Sequence, residues 1–141
     1  MASDAGDFAR SMGIATSGLR AQAGRMRIIS ENIANADSTG STAGGDPYRR
    51  KIPTFSSQLD RALDARLVAL GKAQTDQSAF RVKYDPSNPA ADASGNVKYP
   101  NVNPMVEMAD MRDAQRSYEA NLNIISATRR MIQRTLDILK A

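Results

Sequence analysis

Apolar residues recur at three- and four-residue spacing over both ends of the chain, and the middle lacks that rhythm. Toward the N-terminus the series is Phe8, Met12, Ala15, Leu19, Met26, Ile29 and Ile33, with polar Gln22 interrupting it. Toward the C-terminus it is Met111, Ala114, Tyr118, Leu122, Ile125, Ile132, Leu136 and Leu139, interrupted by Arg129. Such spacing lays a continuous stripe along one face of an α-helix. The pattern predicts a first helix from about residue 7 to 36 and a last one beginning after Pro104 and running nearly to Lys140. Ile124, Met131 and Ile138 add a second row at spacing seven, so the apolar face of the last helix is wider than one pairwise seam requires. Only the first helix is long enough to cover it, and the surplus is left for neighbouring subunits. The expected fold class is therefore mainly α. Residues 1–38 and 104–141 form a terminal-helix domain paired as a coiled coil, around an irregular middle segment, 39–103, with a small β element.

Punctuation supports those boundaries. Asn35, Asp37 and Gly40 follow the first stripe and accept the left-handed conformations that end helices. Gly13, Gly18 and Gly24 lie inside it, each at a cost of roughly 0.5–1 kcal/mol against Ala, which is reasonable where neighbouring helices approach closely. From Ser38 to Pro53 the composition turns to Ser, Thr, Gly and Pro. In the next stretch Leu59, Leu63, Leu67 and Leu70 fit a short helix, and Phe80 to Tyr84 alternates like a strand. Val97-Lys98-Tyr99 reads as its returning strand, after turns at Asp85 to Pro89 and Ser94 to Asn96.

Composition removes several functions. The 141 residues allow one domain with a thin core, since there is no Trp and only three Phe and four Tyr. The net charge is +4, but the 19 basic and 15 acidic residues are interspersed. That suits a solvated surface, and the local run Arg49-Arg50-Lys51 has only Tyr48 beside it to stack on a base, so no nucleic-acid partner is expected. Gly44-Gly45 precedes Asp46-Pro47 and not the Gly-Lys-Ser/Thr of a phosphate loop. Asp92 to Asn96 lacks the distal Glu of a calcium loop. Histidine and cysteine are absent, which removes the usual general base, metal ligands and readiest nucleophile. No enzyme, metal, cofactor or small-molecule substrate is expected. The N-terminus carries acidic residues where a secretory leader has positive ones, and no apolar run is long enough to span a bilayer.

Certain residues carry a resemblance. Gly18-Leu19-Arg20-Ala21, leading through Arg25-Met26 to Asn32-Ile33-Ala34-Asn35-Ala36-Asp37-Ser38-Thr39, resembles the N-terminal signature of bacterial flagellar rod and hook proteins. Further stretches narrow the likeness to the proximal rod members of that family. These are Pro47 to Lys51, the run Tyr84-Asp85-Pro86-Ser87-Asn88-Pro89-Ala90-Ala91-Asp92 with Gly95-Asn96-Val97, and Tyr99-Pro100-Asn101-Val102-Asn103. Glu107-Met108 and Arg116 to Asn121, including Tyr118, complete the set. One departure is that Ser87-Asn88 stands where the family has Gly-His, which keeps turn chemistry but not any role for the imidazole.

The resemblance implies a structural subunit of the proximal rod, polymerising through its terminal helices into the helical tube that transmits torque across the periplasm. It implies export through the flagellar type III apparatus, and as partners the chain itself, other rod subunits, the export apparatus and the basal-body membrane ring. The seam to be tested is Phe8, Met12, Leu19, Met26, Ile29, Ile33, Met111, Tyr118, Leu122, Ile125, Ile132, Leu136 and Leu139. The family motif is Asn32, Asn35, Tyr84, Asp85, Pro86, Pro89, Asp92, Pro100, Asn101, Tyr118 and Asn121. Periodicity alone equally suits a soluble helical adaptor or export-chaperone-like module that holds a client on the same stripes.

Overall fold

A computed structural model describes residues 2–140. Two long helices, α1 (Ala2–Ala34) and α2 (Pro104–Lys140), enclose six short strands in sequence: β1 (Lys51–Ile52), β2 (Phe55–Asp60), β3 (Ala65–Leu70), β4 (Gln74–Thr75), β5 (Arg81–Tyr84) and β6 (Asn96–Tyr99). The strands form three two-stranded antiparallel sheets, β1 with β4, β2 with β3 and β5 with β6. No helix among the described residues is long and apolar enough to cross a membrane.

Local chemistry accounts for the helix ends. Pro104 supplies a pre-set φ where no donor is needed, and Asn103 caps α2 by accepting from the Met105 amide at 3.1 Å. At the end of α1 the Asn35 side chain donates to the Glu31 carbonyl at 2.8 Å, and the Ser38 amide turns back to the Asn35 carbonyl.

The short helix expected from Leu59, Leu63, Leu67 and Leu70 is a β-hairpin instead. The Asp60 carboxylate accepts from the amides of Ala62 and Leu63, so it nucleates a turn where a helix would have continued. Asp64 closes that turn at φ 47. The strands flanking it pair Phe55 with Leu70, Ser57 with Val68 and Leu59 with Arg66. The leucine spacing therefore reflects a turn residue and two strands. By contrast, the expected β5 and β6 are present and pair Arg81 with Tyr99 through Tyr84 with Asn96.

The chain separates into two compact units. The first comprises Met1–Met26, Phe55–Gly71 and Asp113–Ala141. Here the hairpin lies on one face of α1: the Val68 amide donates to Ser17 Oγ at 3.2 Å, and Arg10 Nε donates to the Leu63 carbonyl at 2.9 Å. Gly13 and Gly24 continue that face, and a Cβ at either would sit 2.5 Å from a methyl of Leu63 or Leu70. Among the three interior glycines only Gly18 makes the expected helix approach, since a Cβ there would lie 2.8–2.9 Å from the Asn121 amide group of α2. Its buried apolar residues are small, Ala15, Ala21, Ala65 and Ala114, with Ile125 the largest.

The second unit comprises Arg27–Thr54 and Lys72–Arg112. Its buried apolar side chains are Ile28, Ile29, Ala36, Ala90, Val97 and Val102, and it also buries the polar pair Asn32 and Glu107.

Candidate functional site

Asn32 sits on α1 between Ile29 and Ile33, at the spacing of the apolar stripe, and is fully buried. A buried amide is stabilising only when each of its donors and acceptors is satisfied. Its Nδ2 donates to the Lys51 carbonyl at 2.8 Å and to Glu107 Oε2 at 3.0 Å. Its Oδ1 accepts from the Tyr48 hydroxyl at 2.8 Å and from the Lys51 amide at 2.9 Å. One side chain thus joins α1, the segment before β1, and the first turn of α2.

Glu107 is 1% exposed, a position that an unpaired carboxylate would not tolerate. Arg50 compensates it, with Nε donating to Oε1 at 2.6 Å. The same guanidinium lies 3.7 Å from Asp76 and 3.8 Å from Asp110. Burial first, then the Glu31 and Glu107 carboxylates, push the Tyr48 phenol up to about 12. The Ser78 backbone amide and hydroxyl hold the Asp76 carboxyl below its ordinary range, assisted by Arg50. Lys51 pairs with Glu31, and its ammonium lies 5.7 Å from the Tyr48 ring centroid. The basic run is thereby absorbed into the unit: Arg49 packs over the Phe80 ring at 4.0 Å, and Arg50 and Lys51 hold carboxylates.

Most residues of the motif serve as backbone fasteners. Asn101 accepts from the Arg50 amide at 2.8 Å and donates to the Asp76 carbonyl and Ser78 hydroxyl, fixing the strand after Tyr48 to the loop after β4. Pro100 is buried, and its carbonyl accepts from Arg81 Nε at 3.1 Å. Asp92 accepts from the amides of Ser94 and Asn96, and the Asp85 amide donates to the Gly95 carbonyl. Gly95 holds φ 79 beneath the exposed Tyr84 ring, with no room for a side chain. At the departure from the family pattern, Ser87 donates to Asp85 and Asn88 accepts from the Ala90 amide, so both residues work as turn formers. Pro86 and Pro89 are exposed in the same turns. Asn35 ends α1, and Asn121 donates to the Ser117 carbonyl one turn earlier in α2.

The seam residues divide by depth. Ile29 and Ile125 are buried; Phe8, Met12, Leu19, Met26, Ile33, Met111, Tyr118 and Ile132 are half-buried. Phe8, Met12 and Ile132 line one cleft, which brings the start of α1 to the late turns of α2. Leu122, Leu136 and Leu139 are exposed, and so are Ile124, Met131 and Ile138 of the second row. Gln22, the polar interruption of the first stripe, has a buried Oε1 with no hydrogen-bond partner among the described residues.

Tyr48 and Arg50, expected on a solvated surface, are bound into this network together with Glu107 and with Asp76, which no pattern in the sequence marks. A signal was available for Glu107. It extends the series Met111, Ala114, Tyr118 one turn backward, and a carboxylate in line with an apolar stripe is one that will be buried.

Among the described residues no group of three or more acidic side chains is arranged to hold a metal ion. The arrangement is fastening chemistry, in which Asn32, Arg50, Asn101 and Glu107 each bind other segments of the chain.

Residues 12–41 match the family described as flagella basal body rod protein, and residues 93–138 match the C-terminal family of flagellar basal body rod FlgEFG proteins. The chain is 56% identical over 128 residues to the flagellar basal-body rod protein FlgC of Agrobacterium fabrum, covering 91% of this chain and 92% of the relative. It is 38% identical to FlgC of Bacillus subtilis, covering 92% and 97%, and 36% identical to that of Aquifex aeolicus, covering 95% and 98%. The stretches that the family models match hold most of the seam together with Asn32, Asn101 and Glu107, and the chain belongs to the FlgC family of flagellar basal-body rod proteins.

Proposed function

We propose that this chain is a structural subunit of the proximal part of the flagellar rod, with α1 and α2 pairing as a coiled coil and α2 completing its apolar face on neighbouring subunits. The observation that carries the reading is the row Leu122, Leu136, Ile138 and Leu139, which is 45–75% exposed on the chain alone. A row of that kind marks an interaction surface. Contacts made by different patches on successive copies propagate as a helix when they do not close, which is the geometry of a tube.

In this reading residues 1–38 and 104–141 are the assembly domain, and residues 39–103 are a middle segment braced by the Asn32 and Asn101 fasteners. Its partners are further rod subunits along the tube, with the export apparatus and the membrane ring at its base, and its role is to transmit torque. No catalytic role is assigned. The adaptor or chaperone reading is not favoured, because the relatives matched over nine-tenths of the chain are rod proteins. Fractionation of cells carrying the tagged full chain tests the proposal. The protein should sediment with purified basal bodies, and recovery only in soluble complexes with one client would overturn it.

A further inference from the structure

Two close contacts join α1 to α2, one within each unit. The missing side chain at Gly18 makes room for the Asn121 amide group, and Asn32 donates to Glu107. From Gly18 to Asn32 is fourteen residues along α1, and from Glu107 to Asn121 is fourteen along α2 in the opposite sense. Fourteen is two heptads, the repeat with which paired helices keep one seam in register. Each contact, taken by itself, therefore specifies the same antiparallel offset.

Apolar rows do not provide this. Leucine, isoleucine and methionine substitute for one another across a seam, so a slip of seven residues costs a stripe like this one little. The hydrogen bond of Asn32 and the steric fit of Asn121 are different. A slip in either direction separates Asn32 from Glu107, leaving buried groups without partners. It also sets Arg25 or Ser11 opposite Asn121 in place of Gly18, where the amide has room only because no side chain is present.

We propose that Asn32 and Asn121 are register-determining residues: a pair of polar pins that select one offset of α1 against α2 and so fix which apolar residues are left over for the neighbouring subunit. The proposal rests on the helix pairing put forward above. A polar residue within an apolar seam is a known means of setting register at some expense of stability.

The chain has no cysteine, so introduced pairs report the offset directly. In the full-length protein, Phe8→Cys with Ile132→Cys reads the native offset, since these residues line one cleft. Phe8→Cys with Ile125→Cys, and Phe8→Cys with Leu139→Cys, read slips of one heptad each way. In the parent background only the native pair should form an intramolecular disulfide. Adding Asn32→Leu and Asn121→Leu should raise a slipped disulfide by about tenfold or more, the ratio expected when a buried polar preference is removed. Simple loss of stability would lower all three pairs together and would not create a slipped one. Should the double variant lose its helical circular dichroism, the milder pair Asn32→Ser with Asn121→Ala, which also removes both contacts, carries the same two outcomes. Exclusive native cross-linking in a helical variant would overturn the pins. Failure of the native pair in the parent would instead overturn the helix pairing beneath them.

Discussion

Arg50 Nε meets Glu107 Oε1 at 2.6 Å, in a place where the carboxylate is 1% exposed and the guanidinium is largely enclosed. Breaking such a pair leaves an uncompensated buried charge, whose cost exceeds what the pair itself contributes. Arg50→Ala should therefore destabilise the chain by about 3–5 kcal/mol. Glu107→Gln, whose single carbonyl oxygen can accept from Asn32 or from Arg50 but not from both, removes the buried negative charge and leaves Arg50 beside Asp76 and Asp110, and should cost less. Urea unfolding followed by circular dichroism checks both, and equal losses would mean that charge pairing is not what makes the position sensitive.

Tyr48 gives the network a pH limit. Burial and the neighbouring carboxylates raise its phenol from 10.0 to about 12. Because the folded value is the higher, the neutral phenol's contribution is complete below pH 10 and is lost as pH rises through about 12. Ionisation also removes the proton that Tyr48 donates to Asn32. The unfolding midpoint should fall across that alkaline window, and Tyr48→Phe, less stable at neutral pH, should fall less steeply. Parallel curves for the two proteins would sink the assignment.

The Gly18 contact predicts a non-additive pair. Alanine in a helix is favoured over glycine by about 1 kcal/mol, yet Gly18→Ala would place a Cβ 2.8 Å from the Asn121 side chain. The single substitution should destabilise by about 1–3 kcal/mol. Combining it with Asn121→Ala should recover most of that loss, a coupling that a double-mutant cycle measures. Additive losses would show that the two residues do not share the space.

Leu136 separates assembly from folding. It is 45% exposed, so Leu136→Asp should leave monomer stability within about 0.5 kcal/mol. In the assembled rod the same change would force a charge into an apolar contact. Incorporation into basal bodies should fall by at least about tenfold, with loss of swarming. Ile125→Asp should also abolish incorporation, but Ile125 is buried in the chain and its loss would act through the fold. Normal motility with Leu136→Asp would remove this residue from the interface.

Both helices were legible because their stripes are long and their ends are marked by Asn35 and by Asn103-Pro104. The β5–β6 pair was legible because Arg81 to Tyr84 alternates and turn residues precede Val97. Residues 55–70 misled because four-residue leucine spacing is shared by a helix and by a hairpin whose turn holds Leu63. What decides between them is the Asp60 carboxylate binding its own backbone, which spacing does not weigh. At the candidate site, Asn32 and Asn101 were visible only through family likeness, and Arg50 only as part of a basic run and of that likeness, not as the partner of Glu107. A buried ion pair depends on which distant segments meet, and here they lie 57 residues apart.

The single amide of Asn32 closes two loops, one of 19 residues to Lys51 and one of 75 to Glu107. Closing a loop costs entropy that grows only slowly with its length, so the longer closure is little harder than the shorter once the residue that makes both is held in place. The two closures are consequently not separate events. Whatever frees Asn32 from one partner loosens it for the other, and the start of α2 is released together with β1 in one cooperative opening.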